Sequence, residues 1–266
     1  MTNNLSRWTV LVLAGQRPGP DPMASHFGMD WKALVPVSGE PMVTRVVRTL
    51  SSVPQIDRII VLTQAPDALR PAVSDGGSAE IMRSGRGIST SILDVMDRAY
   101  VHWPVLVTTA DHPLLTRDMV EAFLAEATGD VAVAMVERQR LEAAYPGNKR
   151  TWLRFADGDW SGCNLFALTS GSARPALLLW AEAEQDRKKA WKLFLHFGPL
   201  LALRAITRTI GLAAALEKAG KRLGLTARLV PMRFAEAAID VDKPSDHALA
   251  EQILKRRSDE AQTPAG

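Results

Sequence analysis

The chain has 266 residues, of which 47% are apolar and 23% charged, enough to build a full core in one large α/β domain. Its formal charge of +3 is spread along the sequence, which excludes the clustered basic stripe of a nucleic-acid binder and leaves a preference for small anionic ligands. A single cysteine, Cys163, excludes an internal disulfide framework and fits a reducing cytoplasm.

Residues Met1 to Trp8 lack a basic region followed by a signal-type apolar core, so the expected location is the cytoplasm. The apolar run Val10-Leu-Val-Leu-Ala-Gly15 reads as a buried strand that stops in a turn, because Gln16-Arg17-Pro18-Gly19-Pro20 cannot continue a ladder. Such a strand end, at Leu13, Ala14 and Gly15, presents backbone N–H groups to an anion. Arg17, a planar fork, and Lys32, a point charge, supply the positive charge a triphosphate requires. Further strands are expected near 57–63, 79–82, 104–109, 130–136, 163–168 and 226–231. Helices are expected near 42–52, 89–101, 116–128, 172–187, 209–222 and 244–256. This alternation predicts a mostly parallel sheet covered on both faces.

Between two of these elements, Ser84-Gly-Arg-Gly-Ile-Ser-Thr-Ser91 forms a Gly/hydroxyl loop running into a helix start. Gly85 and Ser91 there are candidate nucleotide contacts, and a plain Ser/Thr N-cap is the competing reading. Asp111 follows Val105-Leu-Val-Thr-Thr-Ala110, which places its carboxylate at the carboxyl end of a buried strand, where open α/β sheets bind ligands. Thr116 is the expected N-cap of the next helix, with Asp118 in its first turn. Lys149, Arg150 and Arg154 then crowd a turn-and-strand region; they either receive an acceptor's phosphate or solvate a hairpin. Asn164, beside Leu165 and Phe166, reads as a buried amide that needs partners, and is a candidate to orient the acceptor.

Residues 174–216 are helical and apolar, but the run Leu193 to Leu203 without a formal charge is only 11 residues, too short to span a bilayer. Arg187, Lys188, Lys189 and Lys192 precede it, so 187–216 is a core element, a lid, a homodimer face or a peripheral membrane contact. Near the end, Asp240 and Asp242 alternate along an extended segment, so one of the two is expected to face the cleft. Together with Asp111 it would hold Mg2+ on phosphate oxygens. Ser245 and Asp246 open the last helix, and 258–266 is expected to be a disordered tail.

Over residues 8–255 these segments resemble the MobA-like nucleotidyltransferases of the GT-A type. The matching positions are Leu13-Ala14-Gly15, Arg17, Lys32, Gly39-Glu40-Pro41, Thr109-Ala110-Asp111-His112-Pro113, Ser161-Gly-Cys-Asn164-Leu-Phe166, and Asp240, Asp242, Pro244 and Asp246. One departure is a longer stretch between Gly15 and Lys32, carrying Pro18, Pro20 and Pro22. The resemblance implies an α/β, single-domain, mostly parallel (mixed) sheet with helices on both faces, a GT-A/Rossmann-like fold over 1–257. Its nucleotide-binding half would be 8–145 and its acceptor half 146–257, with a helical insertion at 172–222. Ser91 matches the family's recurrent serine along the base and ribose.

The implied reaction is Mg2+-dependent transfer of CMP from CTP to a small phosphorylated acceptor, phosphoglycerate or a polyol phosphate. A guanylyltransferase acting on a cofactor precursor, or a non-catalytic nucleotide-binding subunit, would keep the same pattern. A dinucleotide-dependent oxidoreductase is disfavoured, since Gly15-Gln-Arg-Pro-Gly19 is not a Gly-x-Gly-x-x-Gly turn.

Overall fold

Apolar strands alternating with one-sided helices build a central eight-stranded sheet. The computed structural model describes residues 7–85, 87–97, 101–148, 150–185 and 197–262. The strands are β1 (Trp8–Leu13), β2 (Pro36–Val37), β3 (Glu40–Pro41), β4 (Ile56–Thr63), β5 (Glu80–Arg83), β6 (Val105–Thr109), β7 (Val131–Glu137), β8 (Leu153–Phe155), β9 (Gly158–Leu168) and β10 (Ala227–Pro231). The helices are α1 (Pro22–His26), α2 (Met42–Ser51), α3 (Pro66–Gly76), α4 (Ile88–Met96), α5 (Arg117–Glu126), α6 (Arg138–Ala144), α7 (Arg174–Gln185), α8 (Pro199–Ile206), α9 (Leu212–Arg222) and α10 (Pro244–Gln262).

The sheet runs β10-β7-β9-β6-β1-β4-β5, with β8 added to β9, while β2 and β3 form a separate small hairpin. Pairing is parallel between β1 and β4, β1 and β6, β4 and β5, and β7 and β10; β9 alone runs antiparallel, between β6 and β7. Leu13 lies level with both Leu62 and Thr109, so β1, β4 and β6 end at one edge. This is the mixed, mostly parallel sheet expected.

Its two faces follow from strand alternation. Val10 and Val12 pack with Val61, Leu106 and the buried stripes of α2, α5 and α10. Leu11 points the other way, to Ile60, Leu62, Val107, Ile92 of α4 and Leu177 of α7. Both faces are covered by helices, which is why β1 reads as an unbroken apolar run rather than an alternating one. Cys163 is buried and free.

Several elements differ from the sequence expectation for identifiable reasons. Helix α3 went unread because Pro71 sits inside it and removes one backbone hydrogen bond; burial of Leu69, Ala72, Val73 and Gly76 holds it in place. Helix α4 stops at Met96 with Asp97 as its cap instead of reaching 101. The expected disordered tail from Ser258 is helical through Gln262. Arg257 Nη1 donates to the Leu114 carbonyl at 3.1 Å and Ser258 Oγ to Leu254 O at 3.1 Å, which anchors the extra turns.

Helices α2 and α3 meet at van der Waals distance because of Gly76. A Cβ there would lie 2.7 Å from the Thr44 carbonyl and 2.8 Å from Val47 Cβ, and Thr44 Oγ1 already donates to Ala72 O at 2.7 Å. Both partners are buried, so neither can move aside freely. Substituting Gly76→Val is therefore expected to lower unfolding free energy by about 1–3 kcal/mol, read as a lower urea midpoint at unchanged slope. An unchanged midpoint would mean that the two helices separate without loss.

Candidate functional site

Three carboxylates and one ammonium converge at the carboxyl edge of the sheet. Asp111 stands two residues beyond β6, and its carbonyl accepts the Val241 amide at 2.9 Å. That bond draws the Ile239–Asp242 segment alongside Asp111. Lys32 begins a 3-10 turn, Lys32–Leu34, and its Nζ donates to Asp111 Oδ2 at 2.6 Å and to Asp242 Oδ1 at 2.5 Å. One oxygen each of Asp111, Asp240 and Asp242 lie within 4.8 Å of one another.

Strand alternation predicted that only one of Asp240 and Asp242 would face the cleft, and this is corrected: both do. The segment follows a 3-10 turn, Ala235–Ala238, and pairs with no strand, so the period of two does not apply. The Asp242 amide donates instead to Asp246 Oδ2 at 3.2 Å, which turns the chain into α10.

Burial would lower the Lys32 pKa, but Asp111 and Asp242 outweigh it and hold the ammonium firmly charged, above its ordinary range. Burial and the neighbouring Asp111 raise the Asp240 carboxyl, against the opposing pull of Arg150. Asp111 Oδ1 is buried and has no hydrogen-bond partner among the described residues. An orphaned carboxylate oxygen in a ring of three acids is a donor set that fits a hard divalent cation. His112 is buried, and chiefly for that reason its pKa falls to about 4; its Nε2 lies 3.4 Å from the Glu236 carbonyl.

Arg150 and Asn164 were expected to meet an acceptor, and in the structure both grip Asp240. Arg150 Nη1 pairs with Asp240 Oδ1, Nη2 donates to the Asp240 carbonyl at 2.9 Å, and the side chain is only 8% exposed. Asn164 Nδ2 donates to Asp240 Oδ2 at 3.1 Å. A β-bulge aims Asn164 there: Val133 pairs with Phe166 and Met135 with Gly162, so Cys163, Asn164 and Leu165 stand opposite Ala134 alone. Asn164 takes φ +52°, a left-handed conformation that asparagine tolerates better than most residues.

The other expected contacts are placed less centrally. Arg17 and Arg154 are exposed, without an ion-pair partner among the described residues, and Lys149 lies outside the described residues. The Ala14 amide is taken by Leu62 O at 2.9 Å and the Gln16 amide by Gln64 Oε1 at 3.1 Å, so neither is left to face a ligand and the expected row of bare strand-end amides is reduced. Ser91 does not cap α4, whose N-cap is Gly87. Its hydroxyl accepts the Gly85 amide at 2.8 Å and donates to Gly87 O at 2.6 Å, folding the glycine loop onto the helix. The basic run Arg187, Lys188, Lys189 and Lys192 lies outside the described residues.

Sequence reading missed Gln16 and Gln64. Gln16 Oε1 accepts the Lys32 amide at 3.0 Å and its Nε2 donates to Asp30 O at 3.0 Å, so one side chain closes the Gly15–Lys32 stretch. Gln64 clamps the Gln16 backbone through both amide atoms, at 3.1 and 3.2 Å. It also fills the space a Cβ on Gly15 would need, 2.8 Å away. The available signal was an amide side chain in a loop that already carried Arg17 and three prolines.

The profile of the MobA-like NTP transferase domain matches residues 10–198. Among solved structures, the chain is similar to a hypothetical transferase from Thermus thermophilus, with 28% identity, a TM-score of 0.76, and 91% of this chain and 99% of that one covered. It shares its fold with 4-diphosphocytidyl-2C-methyl-D-erythritol synthase from Anaerococcus prevotii, at 11% identity, TM-score 0.55, and 94% and 97% coverage. It also shares its fold with a CMP:2-keto-3-deoxy-manno-octonic acid synthetase complexed with CTP, at 14% identity, TM-score 0.56, and 95% and 100% coverage. No curated protein matches the chain. With the matched profile spanning residues 10–198, most of the sequence, the chain belongs to the MobA-like NTP transferase family.

Proposed function

We propose that the protein transfers CMP from CTP to a small phosphorylated acceptor, such as phosphoglycerate or a polyol phosphate, and releases pyrophosphate. The observation that carries this reading is the Lys32 ammonium held against Asp111 and Asp242, with Asp240 beside them, at the ligand-binding edge of the sheet. Cytidine is favoured because two proteins of the same fold are a CTP-bound synthetase and a diphosphocytidyl synthase. Residues 8–145 would take the nucleotide and 146–257 the acceptor, with the exposed Arg154 on the acceptor's side.

An acceptor phosphate monoester is already ionised at neutral pH, with a second pKa of about 6, so the reaction needs no general base. Its oxygen bonds to the α-phosphorus as the bond from that phosphorus to the β-phosphate's bridging oxygen breaks, and pyrophosphate leaves with the electron pair. The buried His112, whose pKa is lowered to about 4, is assigned no step in this transfer. Lys32 serves as a point charge for the phosphates once they compete with its carboxylates, and Arg17 at the mouth of the loop adds a second cation. Gln16 fixes where Lys32 stands. Mg2+ held by Asp111, Asp240 and Asp242 would supply charge neutralisation on the triphosphate. Arg150 and Asn164 keep Asp240 in place for that role.

Pyrophosphate release with Mg2+ tests the reading, using each of the four ribonucleoside triphosphates against a panel of small phosphorylated acids, polyols and sugars. Release with CTP and one acceptor is expected. Release with GTP alone would make the protein a guanylyltransferase, and tight nucleotide binding without release would make it a non-catalytic subunit. In the same assay Asp111→Ala is expected to reduce kcat at least about a hundredfold with the melting curve intact; full activity would remove Asp111 from the site. Arg150→Met is expected to raise the Mg2+ concentration for half-maximal rate by about 10- to 100-fold at unchanged acceptor KM. A raised acceptor KM with an unchanged Mg2+ response would return Arg150 to the acceptor.

A further inference from the structure

Among the described residues, the three most exposed large apolar side chains lie on one short helix. Leu200, Leu203 and Ile206 of α8 are 69%, 56% and 77% exposed, while Ala202 faces inward. Their spacing of three places them along one face of the helix. An aliphatic face of this kind is held in water only at a loss unless something covers it.

The surrounding charge says what would cover it. Residues 197–228 contain Arg204, Arg208, Lys218, Lys221, Arg222 and Arg228 against one carboxylate, Glu217, so this stretch is more positive than the whole chain at +3. Glu217 is itself paired with Lys221 at 2.8 Å. The two elements abut: at Gly198, the N-cap of α8, a Cβ would lie 3.2 Å from Arg222 Nη2 of α9. Two further carboxylates reach this stretch, Asp157 at the Leu212 amide and Asp130 at Thr226, both engaged in hydrogen bonds, so cations still outnumber acids there and a second copy would bring like charges together. Single-stranded nucleic acid would want aromatic platforms, and Leu200, Leu203 and Ile206 offer none. Anionic headgroups over an acyl layer satisfy both features, the cations by attraction and the aliphatic face by immersion. No helix among the described residues is long and apolar enough to cross a membrane, so the contact would lie in the surface plane.

We propose that α8 and the basic end of α9 form a peripheral docking surface for an anionic lipid membrane, independent of which nucleotide or acceptor the site takes. Flotation of the full chain with phosphatidylcholine vesicles, with and without phosphatidylglycerol, tests it. The protein is expected to float with the phosphatidylglycerol vesicles, to be released by about 0.5 M salt, and to stay behind with phosphatidylcholine alone. The double variant Leu203→Glu/Ile206→Glu, at exposed positions, is expected to cut the bound fraction more than about tenfold with its circular dichroism unchanged. No flotation, or flotation undiminished in the variant, would overturn the proposal. So would a concentration-dependent dimer in sedimentation velocity that the variant abolishes while vesicles are ignored; that result would assign the face to self-association.

Discussion

Asp111, Asp240 and Asp242 repel one another, and much of the surrounding structure is arranged to contain that repulsion. With oxygens within 4.8 Å, each like-charged pair opposes folding by roughly 3 kcal/mol at an effective dielectric of about 20, before water screens the more exposed Asp242. Two cations answer it from opposite halves of the chain. Lys32 bridges Asp111 and Asp242 from the long loop after β1, and Arg150 covers Asp240 from the segment before β8. Neither works unless its own backbone is fixed. Gln16 and Gln64 fix the first, and the second gains from the bulge that brings Asn164 to the same carboxylate. The three acids are thus held together against their mutual repulsion by two cations whose own positions are set elsewhere in the chain.

The fold was legible where its signals were local. The unbroken apolar run of β1, the Thr116 cap of α5 and the stripe of α2 each announce themselves, because burial on both faces, a hydroxyl before a helix and a repeat near 3.6 are properties of contiguous residues. Helix α3 was not legible. Its sequence carries the strongest local signal against a helix, Pro71, and the tie from Thr44 to Ala72 that helps hold it comes from a different element. The extra turns of α10 rest likewise on Arg257 reaching back to Leu114.

In the site, residue identity was legible and residue partnership was not. Asp111 could be named from a strand end, Lys32 as a charge after the first turn, and Asp240 and Asp242 as a pair of which one was expected in the cleft; all four converge. Arg150 and Asn164 carried the right chemistry, anion binding and a buried amide, but nothing along the chain says that the anion is the carboxylate of Asp240. That depends on a two-residue register shift between β7 and β9, set by pairing across the sheet. Ser91 shows the same limit. A hydroxyl near a helix start reads as a cap, and only the loop's actual path makes Gly85 and Gly87 its partners.

Asp157, in the turn between β8 and β9, accepts the Leu212 amide at 3.0 Å on both carboxylate oxygens, and the Ala156 amide donates to Ile210 O at 3.0 Å. A carboxylate at the first turn of α9 favours the helix electrostatically as well as by these bonds. The turn and the helix are therefore welded at a joint, and β9 leads from that joint through Asn164 into the middle of the sheet. One strand thus joins the start of α9 to the side chain that holds Asp240, so the position of that helix and the geometry of the acid site share a single covalent and hydrogen-bonded route.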